Sequence, residues 1–169
     1  CGSNVAVGYL ALTANTTGTD NTAVGAAALD ANTTGSNNTA VGQGALSALS
    51  TGGSNTSVGR LAGLAQTTSS FNTLIGRGAG EAITTGASNV AIGYNALDEM
   101  TTGSSNVAIG TKAMANTATA VGGTVAIGDE ALHDVTISNN IAIGFNAGLN
   151  VTTGAFSTLI GYAAGDAIT

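Results

Sequence analysis

Asn89-Val90-Ala91-Ile92-Gly93-Tyr94-Asn95-Ala96-Leu97, followed at 101–103 by Thr-Thr-Gly, is one copy of a unit that repeats along the whole 169-residue chain. Aligned on the glycine after Val or Ile, the anchors are Gly8, Gly25, Gly42, Gly59, Gly76, Gly93, Gly110, Gly128, Gly144 and Gly161. Six successive intervals are 17 residues, and the remaining three are 18, 16 and 17. Internal periodicity of this kind marks a stacked repeat architecture. Helical repeats need about 33 residues or more per unit, so the short period points to β structure. The sequence therefore predicts an all-β solenoid, a parallel β-roll or β-helix of ten rungs forming one domain over 1–169. At ~4.8 Å per rung the stack is roughly 48 Å long.

Three columns run through the rungs. Val or Ile precedes every anchor: Val7, Val24, Val41, Val58, Ile75, Ile92, Ile109, Ile127, Ile143 and Ile160. β-Branched residues suit a pleated, half-buried strand, and a column with no polar exception predicts the core ladder. Ala stands three residues after every anchor. Four residues before the anchor the column reads Asn4, Asn21, Asn38, Asn55, Asn72, Asn89, Asn106 and Asn140, with Thr124 and Ser157 in the other two rungs. Such an Asn ladder is expected to cap a turn and to hydrogen-bond its own copies up the axis. The Thr-Thr-Gly segment reads as turn chemistry, with its Gly supplying positive φ.

A longer period overlies the first. The residue four after the anchor runs Leu12, Leu29, Leu46, Gly63, Gly80, then Leu97, Met114, Leu132, Gly148, Gly165, giving two five-rung super-repeats of about 1–85 and 86–169. Leu74 and Leu159 are the only Leu residues two before an anchor, and both fall in rungs with Gly at the other site. Volume exchanged between two positions predicts that they touch in a close-packed interior. The paired 18 and 16 intervals predict a one-residue excess absorbed in a loop, so that ladder register survives.

Composition narrows the function classes. Only 7% of residues are charged, and the net charge of −6 sets nine acids against Arg60, Arg77 and Lys112. No basic patch tracks a phosphate backbone, so nucleic acid is not an expected partner. No apolar run approaches the ~20 residues that span a bilayer, and no secretory leader pattern opens the chain. The single cysteine, Cys1, excludes an internal disulfide framework; Cys1-Gly2-Ser3-Asn4 resembles a lipoprotein start, but Cys1 also falls in register within a repeat. No metal or cofactor site is expected, because Asp98, Glu99, Asp129, Glu130 and Asp134 form no column. His133, the only histidine, is tied to no nucleophile by any motif, and enzymatic chemistry is not expected.

The Asn-x-Ala-Val/Ile-Gly-x-x-Ala units resemble the head repeats of trimeric autotransporter adhesins of the YadA type. With their Thr-Thr-Gly punctuation they are still more similar to repeats of phage tail-fibre and bacterial surface-fibre proteins. The resemblance covers the whole chain; the longer period, and Ala or Leu where the adhesin motif often carries Ser, are departures from it. It implies a left-handed β-roll, three rolls about one axis, and binding to host or matrix surfaces. The expected function is a structural or adhesive segment of an extracellular fibre, surface adhesin or tail fibre, that self-associates and meets a host or surface receptor. The alternatives are a filament subunit stacking end to end, since neither end departs from the repeat, and an ice-binding solenoid using the paired threonines. Lateral association is expected on the small-residue face of Ala6, Ala23, Ala40 and Ala91.

Overall fold

The computed structural model describes residues 2–117, 120–152 and 154–166. It is a β-solenoid. Ten strands form one parallel sheet in chain order: β1 Val5–Val7, β2 Thr22–Val24, β3 Thr39–Val41, β4 Thr56–Val58, β5 Thr73–Ile75, β6 Val90–Ile92, β7 Val107–Ile109, β8 Val125–Ile127, β9 Ile141–Ile143 and β10 Thr158–Ile160. Each strand pairs with its own copy in the next rung, for example Val90↔Val107, Ala91↔Ala108 and Ile92↔Ile109. The irregular intervals leave this register intact, since β8 meets β7 as Val107↔Val125 and β9 as Val125↔Ile141. The extra residue is absorbed in the turn before β8, where the Val121 carbonyl takes the Gly103 place in its column and accepts from Asn106 Nδ2 at 2.8 Å. Among the described residues no helix is long and apolar enough to cross a membrane.

The Val/Ile column does not line the core. Val7, Val58, Ile75, Ile143 and Ile160 are exposed, Val7 to 58% and Ile160 to 68%, while Val24, Val41, Ile92, Ile109 and Ile127 are half-buried on the same outer surface. The residue before each of them points inward instead: Ala23, Ala40, Ser57, Leu74, Ala91, Ala108, Ala126 and Ala142 are all 0% exposed. A three-residue strand turns only its centre inward, and side chains alternate faces with a period of two. The inward partners two residues upstream are the asparagines, so Asn and Ala share one face and the β-branched residues take the other. The expected small-residue docking face is thus the inner wall, and Ala40 and Ala91 pack within their own chain.

The remaining interior is filled from the turns by the Ala three after each anchor, the Leu, Met or Gly four after, and a variable residue seven after, such as Leu49, Ile83, Met100 or Val135. Leu74 explains why glycines come in pairs. A Cβ on Gly63 would lie 2.9 Å from Leu74 Cδ1, and one on Gly80 would lie 2.9 Å from Leu74 Cδ2. One leucine thus occupies the space of two side chains, one in the rung before it and one in its own; Leu159 does the same beside Gly148.

Backbone geometry repeats as strictly as packing. All ten anchor glycines have φ between 128° and 139°, a region closed to side chains. In nine of them a Cβ would also fall 2.3–2.6 Å from the next anchor's carbonyl oxygen. The Thr-Thr-Gly glycines differ from expectation. Gly18, Gly35, Gly52, Gly86 and Gly103 do not take positive φ; they are required because a Cβ would meet the next rung's carbonyl oxygen at 2.0–2.3 Å. Positive φ falls instead two, four and twelve residues after the anchor. Among the described residues twenty-two non-glycine residues adopt it, including Leu12, Leu29 and Leu46; Asn139 alone stands eleven after its anchor, in the interval that is one residue short.

Candidate interaction face

The Asn ladder is sealed inside. Asn21, Asn38, Asn55, Asn89, Asn106 and Asn140 are fully buried, Asn72 is 1% exposed, and Asn4 is half-buried at the first rung. Each side chain works in two directions. Asn72 Nδ2 donates to the Gly86 carbonyl at 2.9 Å, and its Oδ1 accepts the Asn89 backbone N–H at 2.9 Å. Asn21, Asn38, Asn55 and Asn89 repeat the pattern, and Asn106 passes it to the Thr124 N–H. These groups are spent on the backbone and offer nothing to a ligand.

The first threonine of four of the pairs is similarly committed. The hydroxyls of Thr16, Thr33, Thr67 and Thr84, with Ser50 in the same column, donate to the carbonyl of their own copy in the next rung at 2.9–3.3 Å. Serines in every second rung add a period not evident in the sequence. Ser36, Ser70, Ser104 and Ser138 each accept the backbone N–H of Thr19, Gly53, Ala87 and Gly122 in the rung below, all at 3.0 Å.

The sixth to eighth rungs form an open groove of about 340 Å³ lined by Asn95, Asp98, Glu99, Lys112, Ala115, Asn116 and His133. Burial, then repulsion from Glu81 and Glu99, holds the Asp98 carboxyl above its usual range, against the opposing effects of the Asn95 hydrogen bond and Arg77. His133 Nδ1 lies 3.1 Å from Asp134 Oδ1, and Lys112 Nζ lies 4.0 Å from Glu130 Oε1. The His133–Asp134 contact lies within one rung, whereas Lys112–Glu130 and Asn116–Asp134 join neighbouring rungs. Among the described residues no three His, Cys, Asp or Glu side chains converge as metal ligands.

The surface most unlike that of an ordinary monomer is the outer face of the sheet. Along each rung every second residue from twelve after one anchor to one after the next is partly or wholly exposed, as in Phe71-Thr73-Ile75-Arg77 or Ser88-Val90-Ile92-Tyr94. The two central columns contain fifteen Val or Ile, five Thr and no charge. Parallel pairing in identical register stacks each column on its own copies, and four columns over ten strands cover roughly 43 Å by 20 Å. Sequence reasoning singled out the Val/Ile column as special but placed it on the wrong side of the wall. The threonines that share this face, Thr22, Thr39, Thr56, Thr73 and Thr158, lie in the strands rather than in the paired turns.

No protein-family model, curated protein or solved structure matches the chain, so its function has to be read from this face.

Proposed function

We propose that this chain is a structural and adhesive segment of an extracellular fibre, a rod in which several copies lie side by side on their β-branched faces. The observation that carries the reading is the uncharged Val/Ile/Thr face itself. Monomeric proteins rarely expose contiguous apolar patches beyond a few hundred Å², whereas a stable interface covers about 800 Å² on each partner. Together with its two flanking columns, which carry only Asp20, Arg60, Arg77 and Asp129 as charges, the face reaches that size, and it is built on a ladder of paired backbones. The resemblance to YadA-type heads and tail-fibre repeats supports three copies about one axis, with the threonine-bearing turns turned outward for attachment.

Sedimentation equilibrium at micromolar concentration tests the proposal. The expected species weighs three times 16.1 kDa, and Ile92→Asp together with Ile109→Asp reduces it to a folded monomer, because paired charges would face one another in a dry contact. A wild-type chain that stays monomeric at high concentration refutes lateral assembly, and a polymer of indefinite mass favours end-to-end stacking.

One observation favours a second reading. Thr22, Thr39, Thr56 and Thr73 form an outward rank beside Val24, Val41, Val58 and Ile75, a regular array of hydroxyls and methyls suited to ordering water at an ice surface. A monomer with thermal hysteresis, lost in Thr39→Lys, would replace the fibre reading with this one.

A further inference from the structure

The two flanks of the outer face carry information that its centre does not. On the flank before the strands, most rungs place Asp, Asn, Ser or Gly at a left-handed position, types that tolerate it. Two rungs place phenylalanine there instead: Phe71 at φ 64° and Phe156 at φ 59°, with 66% and 81% of their surface exposed. An aromatic residue in this conformation is strained, and among the described residues neither ring stacks on another ring or a cation. The chain bears strain and exposed apolar surface at two sites without an internal return.

The opposite flank is built differently at those same levels. Beside β5 stands Arg77, whose Nη1 donates to Tyr94 Oη at 3.2 Å and whose guanidinium lies 5.4 Å from the Tyr94 ring centre. Beside β10 stands Tyr162, stacked on Phe145 with centroids 5.5 Å apart and planes 9° from parallel. Each exposed phenylalanine therefore shares its level with a planar group already held in place by a neighbour.

Resting on the lateral assembly proposed above, we infer that copies of this chain associate parallel and in register about an axis along the solenoid, with Phe71 against the next copy's Arg77 and Phe156 against the next copy's Tyr162. Rotation about such an axis sets the leading flank of one copy against the trailing flank of the next at the same level. A two-fold axis perpendicular to the solenoid sets like flank against like with the levels reversed. Closed rotational symmetry also removes any slip along the axis, which the repetitive Val/Ile face alone would permit. The cation–π and stacked-ring contacts are favourable geometries for such pairs, and at no level does the matching bring like charges together.

Cysteine pairing tests this in the full chain with Cys1 replaced by serine. Ser105 and Thr111 flank β7 on opposite sides, roughly 20 Å apart along an extended segment, too far to bridge within one chain. Ser105→Cys and Thr111→Cys chains, refolded together and treated with a short bis-maleimide, should cross-link to each other. Ser105→Cys paired with Phe145→Cys, two levels away, should not. Cross-linking of Ser105→Cys to Ser54→Cys would show reversed levels and overturn the inference. An assembly of the expected mass with no 105–111 cross-link overturns it as well while leaving lateral assembly standing; a monomer ends both. In addition, Phe71→Ala with Phe156→Ala should weaken association at least tenfold without lowering the midpoint of monomer unfolding. Unchanged association would remove the phenylalanines from the contact.

Discussion

Replacing Asn72 by alanine tests the internal ladder at its centre. Its Nδ2 donates to the Gly86 carbonyl and its Oδ1 accepts the Asn89 N–H, both at 2.9 Å and both shut off from solvent. Alanine orphans two buried backbone groups at about 1–3 kcal/mol each, so the variant should lose about 2–6 kcal/mol, a large part of the 5–15 kcal/mol typical of a domain. Urea denaturation followed by far-UV circular dichroism measures the loss, and hydrogen exchange at the Asn89 amide reports it locally. Asn4→Ala is the control: its two bonds have the same lengths, but the residue is half-buried and water replaces them. Asn72→Asp adds a sign. It keeps the acceptor for Asn89 but turns a carboxylate oxygen toward the Gly86 carbonyl, and burial raises its pKa above the unfolded value of about 3.9. Stability of that variant should be greatest below the unfolded pKa and fall as pH rises through the folded one. A loss below about 1 kcal/mol for Asn72→Ala, or an Asn89 amide that stays protected, would refute the ladder as a source of stability.

Two further tests follow from the packing. Leu74→Ala should cost about 2–5 kcal/mol for the cavity between Gly63 and Gly80; adding Gly80→Leu, which recreates the Ala23 and Leu29 arrangement of the second strand and the turn after it, should recover at least half, and a double-mutant cycle with no coupling would show that the two sites do not share a volume. Gly93→Ala should cost about 3 kcal/mol or more, because strain at φ 138° combines with a Cβ 2.3 Å from the Gly110 carbonyl oxygen, whereas Gly161→Ala, with φ 128° and nothing within 4 Å, should cost about 1–3 kcal/mol; equal losses in thermal unfolding would remove inter-rung crowding from the account.

The rung count, parallel stacking and loop indel were legible because each depends only on period, and period is read directly from spacing. The inward face was not legible from side-chain type, since both faces of these strands are apolar and a three-residue strand gives too short an alternation to settle its parity. The sequence nevertheless contained the deciding signal. Leu74 exchanges volume with Gly63 and Gly80, which belong to the interior, so the residue two before the anchor has to be inside and Ile75 has to be outside. Asn72 stands two residues before Leu74 and shares its parity, which buries the Asn ladder by the same argument. The left-handed backbone at Leu29 or Leu46 left no such trace, because leucine is not a residue from which that conformation is inferred.

That hidden backbone connects the fold to what it can do. Among the described residues, left-handed conformations at twenty-two non-glycine residues cost roughly 1–2 kcal/mol each, an amount offset by the bonds that tie each rung to its neighbours. The Leu12 N–H donates to the Ala28 carbonyl and the Leu29 N–H to the Ala45 carbonyl, so each strained turn hangs from the next. Strain of this kind disfavours a single rung in isolation and favours long cooperative stacks. It also sets the register of the outer columns by the backbone rather than by the side chains they carry, and Val, Ile and Thr interchange there with the pairing unchanged. In the side-by-side assembly proposed above, columns set by the backbone let one copy lie along another over many rungs, and the rare large residues on the flanks, Phe71 and Phe156 among them, are the ones that would decide the register.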